Sequence, residues 1–225
     1  MKAADLTVLG LGHLRASGSA ALIATLLLTA CAALPDKPVR AVTYDFGPGA
    51  VVAPAVQTSN AALALPPIAL AEIESSAALN SSGVLYRLIY ANAQELRPYA
   101  QARWSMPPAQ LLRQRLSAQL GKSRAVLNPG DGIAGSTSPW AVRLELEEFS
   151  QLFESTTAST GLLRLRATVV QPAPQGEKLL GQRTFVVQRP AASADVAGGV
   201  QALTAASDAV VLEIDQWLQT LQPSR

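Results

Sequence analysis

Side chains that act as nucleophiles or metal ligands are scarce in this 225-residue sequence, which has one cysteine, Cys31, and one histidine, His13. A Ser-His-Asp or Cys-His catalytic system needs a histidine in the folded part of the chain, and so does a histidine-ligated metal site. Because both residues lie in the first 31 positions, which have the character of a targeting segment, the rest of the sequence offers neither chemistry.

Carboxylate pairs are the remaining groups that could act as general acids and bases or bind a metal. Glu72 and Glu74 form one pair, and Glu145 and Glu147, followed by Glu148, form another. A separation of two residues places both members of a pair on one face of a strand. A solvent-exposed sheet face explains this spacing without chemistry. We therefore expect a non-enzymatic protein without catalytic residues, metal or cofactor.

The segment Gly130–Gly135 satisfies the letters of the dinucleotide-binding motif G-x-G-x-x-G. That motif holds a pyrophosphate only when a strand leads directly into it and a helix follows directly. Asn128-Pro129 interrupts the approach, and Ser136 to Pro139 lead into a strand-like segment. The pattern therefore predicts a polar loop over residues 128–140.

Residues 1–30 have the pattern of an export signal peptide. Lys2 and Arg15 precede an apolar run over residues 20–30. This run is half as long as the ~20 residues that a membrane-spanning helix needs. We therefore expect the segment to be removed rather than to form part of the fold.

The sequence Leu28-Thr29-Ala30-Cys31 resembles the lipobox of bacterial lipoproteins. The resemblance implies cleavage between Ala30 and Cys31, a diacylglycerol on the Cys31 thiol and acylation of the new amino terminus. Each buried methylene contributes about 0.8 kcal/mol, so two or more chains make a stable membrane anchor. An ordinary cleaved signal beside a cysteine is the alternative. Ala32, in place of Asp, favours the outer membrane over retention in the inner membrane.

Apolar and alternating segments predict several strands in the rest of the chain. They lie at residues 39–46, 68–73, 84–90, 142–147, 163–169 and 179–187. In 142–147 and 163–169, apolar residues alternate with polar ones, and 179–187 adds a third strand after the turn-forming segment 172–176. These three strands should form an antiparallel meander with one buried face.

Two segments predict helices. Ser105 before Pro107 and Pro108 is typical of a helix start, and leucines at helical spacing predict a short helix over about 107–120. An apolar residue at every third or fourth position predicts a long C-terminal helix over about 195–221. We expect its apolar stripe to pack on the sheet. Pairing with another subunit is the alternative, so a homo-oligomer is left open.

These elements together predict one compact α/β domain. A mixed or antiparallel sheet should be covered by the short helix and by the long C-terminal helix. The predicted organisation is a lipoprotein signal peptide at 1–30, a lipidated tether at 31–38 and the folded domain at 39–225.

In the order and spacing of its motifs, the sequence resembles the ABC-type transport auxiliary lipoprotein family, the PqiC-like outer-membrane lipoproteins. Tyr44-Asp45-Phe46-Gly47-Pro48 resembles the family's Y-x-L-G-P entry strand, with Phe46 in place of the usual leucine. The segment from Arg103 to Pro108 resembles its R-W-x-x-P motif, which opens the leucine-rich helix. The later strands and an alanine-rich C-terminal helix extend the resemblance over most of 39–221.

The resemblance implies accessory work in an envelope transport system. Such lipoproteins are similar to partners of assemblies that contain an ABC ATPase, a permease and an MCE protein and that move phospholipids or other hydrophobic molecules between membranes. We therefore expect a lipid-anchored protein on the periplasmic face of the outer membrane that contacts the MCE protein. A transporter-independent lipoprotein, such as a cell-wall enzyme activator or a structural binding module, is the alternative. The net charge of +2 does not point to nucleic acid.

Residues 97–124 contain basic side chains and no acidic one: Arg97, Arg103, Arg113, Arg115, Lys122 and Arg124. Arginine and tryptophan are enriched at binding hot spots, and basic side chains attract acidic partners and anionic lipid head groups. The candidate interface therefore consists of Arg97, Arg103, Trp104, Arg113 and Arg115. A solvated helix face is the alternative for the charges, and a core position is the alternative for the tryptophan.

Overall fold

The computed structural model describes residues 40–49, 65–131 and 139–221. The predicted signal peptide, Ala30, Cys31 and the tether lie outside the described residues. In the described ranges, no helix has the length and apolar character that a membrane crossing requires.

The described residues form a mixed α/β domain with eight strands in one sheet and two helices, which confirms the predicted fold class. The strands are β1 (Val42–Tyr44), β2 (Ile68–Ser75), β3 (Gly83–Leu88), β4 (Asn92–Trp104), β5 (Val126–Leu127), β6 (Trp140–Phe153), β7 (Ser159–Ala173) and β8 (Gly176–Pro190). The helices are α1 (Pro108–Leu120), between β4 and β5, and α2 (Val196–Thr220), after β8.

The three longest strands form the predicted antiparallel meander β6-β7-β8. Val142, Leu144 and Leu146 of β6 are buried, whereas Arg143 and Glu145 between them are exposed. This alternation follows from the period of two in a strand, which turns one face of the meander toward the core. A register shift between Leu146 and Glu148 then places Phe149 in the core.

The other edge of β6 makes the sheet mixed. β2 pairs in parallel with the first half of β6, and β3 pairs in parallel with its last residues. β3 forms an antiparallel hairpin with β4, which in turn pairs in parallel with β1. The 13-residue strand β4 is missing from the sequence-based prediction, because it is mostly exposed and carries Pro98 in its interior. The short strand β5 is missing as well.

Helix α1 begins at Pro108, three residues after Ser105. Pro107 is the N-cap residue and makes no side-chain cap hydrogen bond. The Ser105 N–H instead donates to the Tyr44 carbonyl oxygen at 2.7 Å, which joins the end of β4 to β1. A proline in the first turn replaces the cap because its missing N–H needs no partner there. The predicted leucine face of the helix is buried.

Helix α2 covers the buried face of the meander, as its apolar stripe predicts. Asp195 caps the helix by accepting a hydrogen bond from the Gly198 N–H at 2.8 Å, and this bond holds the pKa of the carboxyl below its ordinary value. Gly161 of β7 permits a close approach, because a Cβ there would lie 2.8 Å from the Leu203 nitrogen of α2. Trp217 packs edge-on against Phe185 of β8, with ring centroids 5.7 Å apart.

The predicted loop at 128–140 is described only in part. Asn128 and Asp131 close a turn through an N–H to carboxylate hydrogen bond of 3.1 Å. Beyond the residues that are not described, the chain continues directly into strand β6 at Trp140. A strand rather than a helix therefore follows at the far end of the loop.

Candidate functional site

The carboxylates of the meander are ion-paired groups on an exposed sheet face. Arg166 of β7 contacts Glu145 and lies 3.4 Å from Glu147. Glu148 lies 3.0 Å from Arg87 of β3 and is also hydrogen-bonded by a serine hydroxyl. Across the described ranges, no group of three or more His, Cys, Asp or Glu side chains is arranged to hold a metal ion. This geometry favours the sheet-face interpretation over acid–base chemistry.

The side chains of the predicted basic interface lie in different parts of the fold. Arg97 lies 2.5 Å from Glu95, and the hydrogen bond between them holds the pKa of Glu95 below its ordinary value. Arg103 is exposed at the end of β4. Arg113 donates to two carbonyl oxygens of β2 at 3.2 and 3.3 Å. Arg115 lies on α1 and forms an ion pair with Asp208 of α2. The basic residues therefore do not form one patch.

Trp104 is a core residue, which corrects one member of the candidate interface. Its side chain is 2% exposed and packs edge-on against Phe46, with ring centroids 5.6 Å apart. Ala102 and Trp104 are two positions apart on β4, so both face the core, whereas Arg103 between them faces solvent. Tryptophan recognition of a partner is therefore excluded at this position.

A groove runs along α1 and has residues of two other segments in its lining. The segment Asp45–Gly49 forms one wall and α2 forms the other. The groove has two adjoining concavities, of about 390 and 270 Å³, which share Arg115 and Ala118. The larger one has a mostly apolar lining that includes Pro48, Ala118, Val211 and Leu212.

Arg115 joins the walls of this groove. Its Nε atom lies 3.1 Å from the Asp208 carboxylate on α2, and its Nη2 atom donates to the Phe46 carbonyl oxygen. Gly49 adopts a positive φ of 73°, and a Cβ there would collide with the Arg115 guanidinium. The charge of Arg115 is therefore compensated within the fold. Lys122, at one end of the groove, is exposed, and among the described residues its ammonium group is hydrogen-bonded only to the Gln119 side-chain amide, at 2.7 Å.

A buried polar cluster lies between the end of α1 and α2. The Arg124 side chain is fully buried, and its Nη2 atom lies 3.7 Å from Asp215 of α2. Among the described residues, none of its three guanidinium nitrogens has a hydrogen-bond partner, and burial lowers the pKa of Arg124. Asp215 also accepts a hydrogen bond from the Gln119 amide at 3.1 Å. This cluster fixes the position of α2 against α1.

A second polar network lies at the start of α2. The Tyr99 hydroxyl donates to Gln151 Oε1 at 2.9 Å, and Gln151 Nε2 donates to Ser159 Oγ at 2.7 Å and to the Asp195 carbonyl oxygen at 3.0 Å. Burial raises the pKa of Tyr99 to about 12. The network joins the β3–β4 hairpin to β6, β7 and α2.

The groove and both networks could not be predicted from the sequence, because their members are distant along the chain. Gln119 and Asp215, for example, are 96 positions apart. One signal is present in the sequence, since Asp215 directly follows Ile214 within the apolar stripe of α2. A carboxylate at that position indicates a buried polar partner, without identifying it.

Solved structures share this fold. A crystal structure of a protein from Xanthomonas campestris matches with a TM-score of 0.61 at 20% sequence identity, covering 72% of this chain and 90% of that one. A second crystal structure, of an uncharacterized protein, matches with a TM-score of 0.56 at 12% identity, covering 80% of this chain and 99% of that one. At these identities the similarity shows the fold alone. A comparison with curated proteins gives no match.

The sequence profile of one family covers most of the chain. Residues 49–215 match the family described as the ABC-type transport auxiliary lipoprotein component. The match includes β2 to β8, α1 and most of α2, and so it confirms the resemblance drawn from the motifs. This is a family of auxiliary transport components and is not a known enzyme family. The chain belongs to the ABC-type transport auxiliary lipoprotein component family.

Proposed function

We propose that this protein is a lipid-anchored accessory subunit of an ABC/MCE-type system that moves lipids or other hydrophobic molecules between membranes. It acts by protein–protein contact with the MCE protein on the periplasmic face of the outer membrane. The family match over residues 49–215 carries this proposal. The ion pairing of the meander carboxylates is in keeping with an interaction protein rather than an enzyme.

The anchor is the lipid on Cys31, after cleavage between Ala30 and Cys31, and the tether 31–38 links it to the domain from residue 39 onward. The lipobox supports this part of the proposal. Cys31→Ala should abolish incorporation of labelled palmitate and should release the protein from the membrane fraction. Palmitate labelling that persists in Cys31→Ala contradicts the anchor, and separation of the two membranes by density identifies the one that holds the wild type.

Crosslinking in the native envelope tests the partner. The acylated wild type is crosslinked, purified and analysed by mass spectrometry, and recovery of an MCE protein is the expected result. Recovery of cell-wall synthases without any MCE protein would contradict the transport role and favour the transporter-independent alternative.

The role of the basic residues is tested by a charge reversal that leaves the core intact. Arg97→Glu with Arg103→Glu changes two residues on β4, whereas Arg113 and Arg115 have contacts within the fold and are left unchanged. Arg40→Glu with Lys122→Glu is the matched control, because both residues are exposed and the change in net charge is the same. Loss of the MCE crosslink only in the first variant assigns β4 to the interface.

A further inference from the structure

Strand β8 forms a long sheet edge that pairs only with β7 among the described residues. The other described edges are short or interrupted. β1 has three residues and β5 has two, and the part of β4 that β1 leaves open contains Pro98. Proteins commonly protect edge strands in these ways against pairing with another chain. β8 has 15 residues, and its only proline is the last one, Pro190.

The strand register shows which groups of β8 are free to pair. The Ala191 N–H donates to the Ser159 carbonyl oxygen at 2.9 Å, and these residues lie opposite each other, one step beyond the pair Thr160 and Pro190. A direct hydrogen bond between opposite residues marks a hydrogen-bonded pair, and such pairs alternate along an antiparallel ladder. Every second residue therefore points its N–H and C=O groups away from β7: Gln182, Thr184, Val186 and Gln188.

Side-chain contacts along this edge agree with that assignment. The Arg189 guanidinium donates to the outward carbonyl oxygen of Gln188 at 2.9 Å, so this oxygen is accessible from the edge. Val186, another outward residue, has a 53% exposed side chain, and Leu179 of the same strand is 60% exposed. An exposed apolar residue between free main-chain groups is the usual character of a strand that accepts an added strand.

Positive charge surrounds the edge. Lys178, Arg183 and Arg189 lie on β8, and Arg164 lies opposite Val186 on β7. Within the described ranges, none of these four cations lies within 4.0 Å of a carboxylate. The one acidic side chain of β8, Glu177, is bound by Arg143 at 2.6 Å. A second copy of this strand would bring like charges together, which disfavours edge-to-edge dimerisation.

We propose that the β8 edge binds an extended, acidic segment of a partner protein as an additional strand. Main-chain hydrogen bonds from the outward residues provide the affinity, and the cations select acidic side chains on the added strand. This inference rests on the proposed function, since it supplies the docking edge of an accessory subunit.

The test uses an edge residue whose N–H is not part of the β7 ladder. Thr184→Pro removes an outward N–H and places the proline ring at the free edge, where an edge strand tolerates it. Thr184→Ala keeps the N–H and is the matched control. Both changes are made in the full acylated chain in its native envelope, with a photo-crosslinking residue in place of Gln188.

We expect an adduct at Gln188 whose partner peptide is acidic and free of proline. Thr184→Pro should reduce this adduct about tenfold or more, because main-chain hydrogen bonds are the basis of this binding mode, whereas Thr184→Ala should leave it unchanged. Equal adducts in the two variants, an adduct with a second copy of this chain, or no adduct in the wild type would overturn the inference.

Amide hydrogen exchange on the detergent-solubilised full chain provides an independent control of folding and register. Exchange should be fast at Thr184 and Val186 and slow at Phe185 and Val187 in the isolated protein. Protection of the outward amides there would also overturn the inference.

If an acidic strand adds at Gln188 but no MCE protein is recovered, the proposed function fails alone. If the MCE protein is recovered and Thr184→Pro has no effect, the inference fails alone.

Discussion

Asp215→Asn and Arg124→Met remove the two halves of a buried ion pair, and we expect them to have unequal effects on stability. The Arg124 side chain is fully buried, whereas the Asp215 side chain is 12% exposed. Asp215 also has amide donors in Gln119 at 3.1 Å and in Gln219 at 3.4 Å, but the Arg124 guanidinium has no hydrogen-bond partner in the described part of the chain. If the arginine is removed, the Asp215 carboxylate keeps its amide donors and some contact with water. If the aspartate is removed, the Arg124 guanidinium keeps neither.

The size of the difference follows from the geometry. At the 3.7 Å separation of Nη2 and Oδ1, an effective dielectric constant of ~20 gives an attraction of about 4.5 kcal/mol. Asp215→Asn loses this attraction and leaves an uncompensated buried cation, so the free energy of unfolding should fall by about 3–5 kcal/mol. Arg124→Met also removes a desolvation penalty of several kcal/mol, so its net cost should stay below about 1 kcal/mol.

Urea unfolding followed by tryptophan fluorescence measures these differences, and a double variant, Arg124→Met/Asp215→Leu, tests the replacement of the whole pair by apolar side chains. The double variant should be about as stable as the wild type or more stable, because apolar side chains of similar volume commonly replace buried ion pairs without loss. A cost of 3 kcal/mol or more for Arg124→Met alone, on the same scale of about 3–5 kcal/mol expected for a broken buried pair, would refute the reasoning.

Three further predictions concern glycine packing, alkaline pH and helix capping. Gly161→Ala should destabilise the fold by about 1–3 kcal/mol in thermal unfolding, because the added Cβ meets the backbone of α2. Gly83→Ala in β3 is the matched control, because a Cβ there meets only side-chain atoms at an ordinary contact distance of 3.6 Å. Burial raises the pKa of Tyr99 to about 12 from 10.0. The stability that the neutral Tyr99 hydroxyl contributes should therefore be complete below pH 10 and should decline as the pH rises toward 12. In unfolding measurements, Tyr99→Phe should flatten this decline. The pKa of Asp195 is lowered by its cap hydrogen bonds, so the stabilisation that it gives should be present above the unfolded-state pKa and lost as the pH falls through the folded-state value. Asp195→Ala should therefore lower the melting temperature at neutral pH, with no difference from the wild type in strong acid.

The predictability of the fold depended on how regular each pattern is. The meander and α2 were found because alternation in Val142–Glu147 and a three-to-four spacing in Val196–Leu221 each report one buried face. β4 was missed because its residues are mostly exposed and its main-chain hydrogen bonds to β3 leave no trace in hydropathy. The hydrogen bond from the Ser105 N–H to the Tyr44 carbonyl oxygen of β1 could not be predicted either, because it joins segments 61 positions apart.

The candidate site was harder to predict than the fold. Arg97 to Arg124 form one basic run in the sequence, but the structure distributes these side chains among an ion pair on β4, the edge of β2, the groove and the buried cluster. A charge count along the chain cannot distinguish a solvated arginine from one whose partner lies on a distant element. Trp104 shows the same difficulty, since its face on β4 is defined only by pairing and packing.

The amino-acid sequence by itself determined the resemblance of Leu28–Cys31 to a lipobox, the scarcity of histidine and cysteine, the motifs of the family and the two helices, because each depends on residue identity or on spacing along one segment. The tertiary structure alone decided which charges are neutralised within the fold, how α1 and α2 form a groove and why β8 is left as an open edge. These features depend on distances between segments far apart in the chain. No local pattern encodes such distances, since they result from the packing of the whole sheet against both helices.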